Sequence, residues 1–166
     1  PKEAATGRDG GSPRAPRCIA LVGPSQSGKT TLLEAILART GAIPKAGSVD
    51  AGTSVGDATP EAREHKMGLS LSAASTTFMD ETYTFIDCPG ATDFIHDMRA
   101  AIPAVDAAVV VCEADERKLP QLQLIMRELE DRGIPRFLYL NKIDKANRRV
   151  RETLQMLQPA SRLPLL

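Results

Sequence analysis

Short apolar runs alternate along this chain with stretches whose apolar residues recur every three or four positions. Cys18 to Val22 is a compact apolar run closed by Gly23, which by length and flanks predicts a buried strand. Lys29 to Thr40 carries Leu32, Leu33, Ile36 and Leu37 at helical spacing, and Gly41 stops it. Ile43 to Gly68 is rich in Gly, Ala and Thr with weak pattern, a length that in a compact domain marks functional or mobile chain. Leu69 to Phe78 alternates, as does Thr82 to Ile86, and Met79-Asp80-Glu81 between them predicts an antiparallel hairpin. Thr92 to Ala101 reads as a helix with Phe94, Ile95, Met98 and Ile102 on one side and Pro103 as its stop.

The second half repeats the alternation. Ala107 to Cys112 is continuously apolar, as in a strand covered on both faces. Leu119 to Arg132 places Leu122, Ile125, Met126 and Leu129 on one helical face, with Gly133 and Pro135 behind it. Phe137 to Leu140 reads as another buried strand. Asn147 to Leu157 reads as a polar helix with Val150, Leu154 and Leu157 inward, and Leu163 onward as the start of a last strand. Strands alternating with helices predict an α/β domain: a mainly parallel sheet, helices on both faces and one antiparallel hairpin. Ligands of such sheets sit at the carboxyl ends of the strands.

Composition narrows the class. The chain has 166 residues, 42% hydrophobic and 25% charged, an ordinary balance for one domain with a core. Lys+Arg and Asp+Glu both number 21, so net charge gives no support for a general nucleic-acid or membrane binder. No apolar run is long enough to span a bilayer, and no secretory signal pattern opens the chain. Cys18, Cys88 and Cys112 are odd in number and form no CxxC pair; Cys18 and Cys112 sit in apolar runs and read as small core residues, and a reducing cytoplasm fits best. Residues 1–17, rich in Gly, Pro, Ala and Arg, read as a flexible tail, and residues 18–166 as the folded domain. The chain lacks a first Met and stops on apolar residues, so it reads as a fragment of a longer protein.

Three motifs carry chemistry, each just after an expected strand. Gly23-Pro24-Ser25-Gln26-Ser27-Gly28-Lys29-Thr30 satisfies G-x-x-x-x-G-K-[ST]. Its glycines let backbone N–H groups turn inward on phosphate oxygens, and the helix behind directs its N-terminus at the anion. The candidate phosphate ligands are Gly23, Ser25, Gln26, Ser27, Gly28, Lys29, Thr30 and Thr31, with the Thr30 hydroxyl available to Mg²⁺. Asp87-Cys88-Pro89-Gly90 follows the expected strand ending Phe85-Ile86. Its Asp can hold Mg²⁺ through water and its Gly can bring a bare N–H to a γ-phosphate; taken alone, D-x-x-G equally describes a Pro-Gly turn. Asn141-Lys142-Ile143-Asp144 follows the expected strand Phe137 to Leu140. The Asp144 carboxylate can accept both N1–H and the exocyclic amine of guanine, a pair of donors adenine lacks, and would thereby select GTP over ATP. Asn141 can reach the base and Lys142 can cover the ring face; taken alone, N-K-x-D is also a polar helix cap.

With these residues in order, the chain resembles the G domain of translational GTPases, and within them elongation factor G and its bacterial paralogues. The likeness runs from about Cys18 to the end. Thr30-Thr31-Leu32-Leu33-Glu34-Ala35-Ile36-Leu37 is similar to that family's first helix, and Arg63-Glu64-His65-Lys66-Met67-Gly68-Leu69-Ser70-Leu71 resembles the end of its switch I. Asp93-Phe94 and Val105 to Val111 match as well. The resemblance implies a P-loop G-domain fold, GTP and GDP as ligands, Mg²⁺ as cofactor, and a ribosome met through other domains. It places Ser70 as an Mg²⁺ ligand beside Thr30 and Asp87, Gly90 at the γ-phosphate, and Asn141, Lys142 and Asp144 on guanine.

Two departures concern catalysis. The family's D-x-P-G-H histidine, which positions the attacking water, is here Ala91, and a phosphate-loop aspartate is here Gln26. Phosphoryl transfer depends on positioning and charge stabilisation, so hydrolysis is expected to be slow while binding persists. No residue is assigned as catalytic. His65 and His96 are expected on the surface, and spacing does not support Arg63 or Arg99 as an internal arginine finger. The family's S-A loop, which closes the guanine pocket, finds no counterpart before Leu166, since Ser72-Ala73 falls far too early in the chain.

Overall fold

The structure, a computed structural model, describes residues 17–47, 71–90 and 95–165. Five strands form one sheet: β1 (Arg17–Val22), β2 (Ser72–Phe78), β3 (Glu81–Asp87), β4 (Ala107–Cys112) and β5 (Arg136–Leu140), in the order β2-β3-β1-β4-β5. β1 pairs in parallel with both β3 and β4, β4 in parallel with β5, and β2 antiparallel with β3. The helices are α1 (Lys29–Arg39), α2 (Ile95–Ala101), α3 (Leu119–Asp131) and α4 (Val150–Leu157). This is the mainly parallel sheet with one hairpin that the alternation predicts.

The unbroken apolar run of β1 has a direct cause. Successive side chains of a strand point to opposite faces, and both faces of β1 are covered. Ala20 and Val22 join Ala108, Val110, Cys112 and the apolar face of α3 in the larger core, with Leu157 of α4 beside them. Leu21 faces the other way, onto Leu33 and Leu37 of α1 and Phe85 of β3. Leu122, Ile125, Met126 and Leu129 are all buried, as their spacing requires. Cys18, Cys88 and Cys112 pack in or against the larger core.

The hairpin turns on Met79 and Asp80, both with positive φ (52° and 61°), a geometry whose twist matches the strands it joins. Glu81 already pairs with Phe78, so the turn is two residues long and Glu81 belongs to β3.

Four expectations are corrected. Arg17 lies in β1 rather than in the tail, paired with Tyr83 in register and with Glu81 by an ion pair of 2.9 Å. β5 is not buried on both faces: Leu138 and Leu140 reach the larger core, but Phe137 is 74% exposed and Tyr139 42%. It closes the described sheet at one edge. Val150 points outward and Thr153 inward, so the inner face of α4 is rotated from the expected one. Leu163 does not open a strand. The Gln158 side chain captures the Leu163 carbonyl and the Leu165 amide at 3.0 and 2.9 Å, which commits those backbone groups to a local turn.

Candidate functional site

The loop between β1 and α1 lies at the carboxyl edge of the sheet, where β3, β4 and β5 also end. Gly28 forms the start of α1 with φ of 96°, and a Cβ there would collide with the Asn141 amide. The first N–H groups of α1 lack intrahelical partners, as at any helix start, and can serve an anion in the loop. Lys29 is 7% exposed and folds its ammonium onto the Gly23 and Pro24 carbonyls, both at 3.0 Å. Burial lowers its pKa to about 8, against the upward pull of Asp87. An anion in the loop would offset that desolvation directly.

The end of β3 brings Asp87 to the same place. Thr30 donates its hydroxyl to Asp87 Oδ2 at 2.6 Å. Asp87 Oδ1 and the Ser27 hydroxyl are buried with no hydrogen-bond partner. Burial raises the Asp87 pKa, opposed by the Thr30 hydrogen bond and the Lys29 charge. Gly90 packs against the loop so closely that a Cβ would strike the Lys29 ammonium and come within 2.9 Å of the Pro24 carbonyl oxygen. Asp87 and Gly90, 57 or more residues beyond Thr30 in sequence, therefore converge with Lys29 and Thr30.

The loop after β5 joins them from the other side. Asn141 donates its amide to the Ser27 carbonyl at 2.9 Å and turns its own oxygen to the Lys142 N–H at 2.9 Å. Lys142 adopts a left-handed backbone (φ 55°) and reaches the Gln26 carbonyl at 2.5 Å. Asp144 follows in a short 3-10 turn (Ile143–Lys145) and is exposed, open to a ligand from solvent. Gln26 is exposed and Thr31 lies on the outer side of the first turn of α1. Ser70 and Ala91 lie outside the described residues, as do His65 and Arg63. His96 is exposed, and Arg99 is engaged with Glu128 at 2.9 Å.

Three residues that the motifs do not contain also enter the site. Glu113, directly after β4, accepts ammonium groups from Lys118 and, at 3.0 Å, from Lys142. Lys118 also reaches the Ser25 carbonyl at 2.8 Å. Gln121 on α3 accepts from the Ser25 N–H at 3.4 Å and donates to the Gly90 carbonyl. Their one sequence signal is position: they follow a strand whose carboxyl end points at the loop.

A mainly parallel sheet whose first strand runs through a G-x-x-x-x-G-K-[ST] loop into a helix defines a phosphate-loop nucleotide-binding domain. A family model described as the elongation factor Tu GTP-binding domain matches residues 15–161. An elongation factor G-like protein of Synechocystis is 37% identical over 150 residues, covering 90% of this chain and 22% of that protein. An oxytetracycline resistance protein of Streptomyces rimosus is 40% identical over 141 residues, 81% of this chain and 21% of that one. A crystal structure of a Thermus thermophilus protein superposes with a TM-score of 0.76 at 35% identity, over 86% of this chain and 22% of that chain. The chain thus belongs to the elongation factor Tu GTP-binding domain family and is a GTP-binding domain of the elongation-factor-like translational GTPases. It spans about a fifth of the length of the relatives it matches.

Proposed function

We propose that the chain binds GTP with Mg²⁺ and hydrolyses it slowly to GDP, as the nucleotide-binding part of a larger ribosome-associated translation factor resembling elongation factor G. The observation that carries the binding assignment is the convergence of Lys29, Thr30, Asp87, Gly90 and Asn141 on one loop. In this reading Gly23, the loop residues Ser25 to Thr31 and the Gly90 N–H hold phosphate oxygens, and Lys29 bridges the terminal phosphates. Asn141, Lys142 and Asp144 read guanine.

The donor set suits Mg²⁺. Thr30 gives its proton to Asp87 and keeps oxygen lone pairs for a cation, and Asp87 Oδ1 is buried without a partner. A hard cation takes oxygen ligands and keeps several waters, so a hydroxyl, one carboxylate and the nucleotide's own phosphates suffice. When bound, Mg²⁺ neutralises charge on the phosphates. Ser70 would complete the set from the segment before β2.

A second reading is favoured by Ala91 and Gln26: a GTP-bound regulator whose hydrolysis is absent. Single-turnover GTP hydrolysis by the longer protein, with and without ribosomes, separates the two. Acceleration by ribosomes supports the enzyme, and a rate indifferent to ribosomes leaves the regulator. Either reading places the protein in the cytoplasm, where translation takes place. No described helix is long and apolar enough to cross a membrane.

A further inference from the structure

The carbonyls of Ser25, Gln26 and Ser27 are each taken by a different side chain from outside the loop: Lys118, Lys142 and Asn141. In a trans peptide the C=O and the following N–H point in opposite directions. Fixing those carbonyls outward therefore fixes the N–H groups of Gln26, Ser27 and Gly28 the other way. The Ser27 N–H closes a turn onto the Pro24 carbonyl at 3.3 Å. Those of Gln26 and Gly28 are left on the side away from the captured carbonyls, where they are available to a phosphate.

Two of the three side chains doing this are ammonium groups, and one carboxylate holds both. Glu113 Oε1 takes Lys118 and Oε2 takes Lys142. Its side chain is only 15% exposed, so solvent screens these contacts weakly. Without that carboxylate two cations would face each other across the loop with no counter-charge, and their flexible stems would be free to leave the carbonyls.

We propose that Glu113 is a positioning residue for nucleotide binding: through Lys118 and Lys142 it locks the phosphate loop to the base-reading loop, so that both ends of a guanine nucleotide are gripped by one pre-set frame. The proposal rests on the GTP-binding reading above. It predicts a slower release of nucleotide than separate loops would give, because pre-organisation lowers the ordering cost of binding.

The test uses GDP carrying a fluorescent ribose label and measures its dissociation rate from the protein, alongside the thermal midpoint of the nucleotide-free form. Glu113→Gln keeps the shape but turns an amide N–H₂ toward one of the ammonium groups. Release should quicken about tenfold, the loss of one charge-assisted hydrogen bond. Glu113→Asp, which keeps the charge, should recover part of the difference. Lys118→Met, which removes the arm between Glu113 and the Ser25 carbonyl, should also quicken release and serves if the Glu113 variants do not fold. Glu113→Gln combined with Lys142→Ala should show less than the sum of the two effects, since they break one strap. A lower thermal midpoint with unchanged release, or additive effects, overturns the proposal while leaving GTP binding intact. A wild-type protein that holds no labelled GDP removes the GTP-binding reading and the proposal together.

Discussion

The two ends of the candidate nucleotide site are built differently. At the base end, polar groups are satisfied within the protein: Asn141, Lys142 and Lys118 occupy loop carbonyls, and Glu113 balances the two ammonium groups. At the phosphate and metal end, Lys29 is buried with a lowered pKa, and Asp87 Oδ1 and the Ser27 hydroxyl are buried without partners. Buried polar groups cost free energy until they are paired. The base end is therefore a finished frame, and the other end carries unmet demands that an anion and a cation can meet. Ligand binding should then be felt most where the protein is least satisfied on its own.

The largest effect is expected at Lys29. Lys29→Met should weaken GTP by about a hundredfold, because it removes a desolvated ammonium that has only two backbone carbonyls as alternatives. Equilibrium binding of labelled GTP measures it, and a loss of only a few-fold would place the phosphates elsewhere. Asp144→Asn should come next. The amide can accept only one of guanine's two donors, so GTP should weaken by about tenfold or more. Xanthosine triphosphate, which carries a 2-carbonyl in place of the amine, should gain, because the new side chain can donate to it. An unchanged preference in that variant would remove the guanine assignment.

Each end was legible in sequence only in part. Asn141, Lys142 and Asp144 announce themselves by type and spacing after an apolar run, as the phosphate loop does between a strand and a helix. Leu122, Ile125, Met126 and Leu129 likewise show their shared face through a period that depends only on local geometry. Glu113 has no such signal. A single carboxylate after a strand gains meaning only when the sheet order sets β4 between β1 and β5, and so places it between Lys118 and Lys142. Phe137 and Tyr139 fail for the same reason in reverse. A four-residue apolar run looks doubly covered, yet whether a strand is central or at the edge is decided by pairing partners far along the chain. At Leu163 the apolar letters suggested a strand, and the Gln158 side chain settled the backbone otherwise.

A moderate effect is expected from pH. Lys29 has a pKa of about 8 in the folded chain against an ordinary 10.5, so between those values the folded protein binds fewer protons than the unfolded one. The stability of the free protein should therefore gain from this group as pH rises through that window, and burial of the charged form should cost stability below about 8. A bound triphosphate favours the ammonium and reverses the shift. GTP binding near pH 9 should then take up a fraction of a proton, read by calorimetry in two buffers of different ionisation enthalpy. Lys29→Met should abolish the uptake, and uptake that survives in that variant would move the proton to another group.

The smallest effect is the most direct test of whether the phosphate end is unfinished. Ser27 is fully buried and its hydroxyl has no partner, lying close to where a side chain on Gly23 would sit. An unsatisfied buried hydroxyl is destabilising, so Ser27→Ala should raise the stability of the nucleotide-free protein by about 1 kcal/mol in urea unfolding. With saturating GTP and Mg²⁺ the gain should shrink or change sign, because the hydroxyl then has a ligand oxygen within its reach and the alanine does not. A hydroxyl satisfied by the protein or its solvent would give the opposite order: a loss in the free form and no dependence on nucleotide. The sign of one substitution, with and without ligand, thus decides whether the contrast between the two ends reflects a site prepared for GTP or an incidental feature of packing.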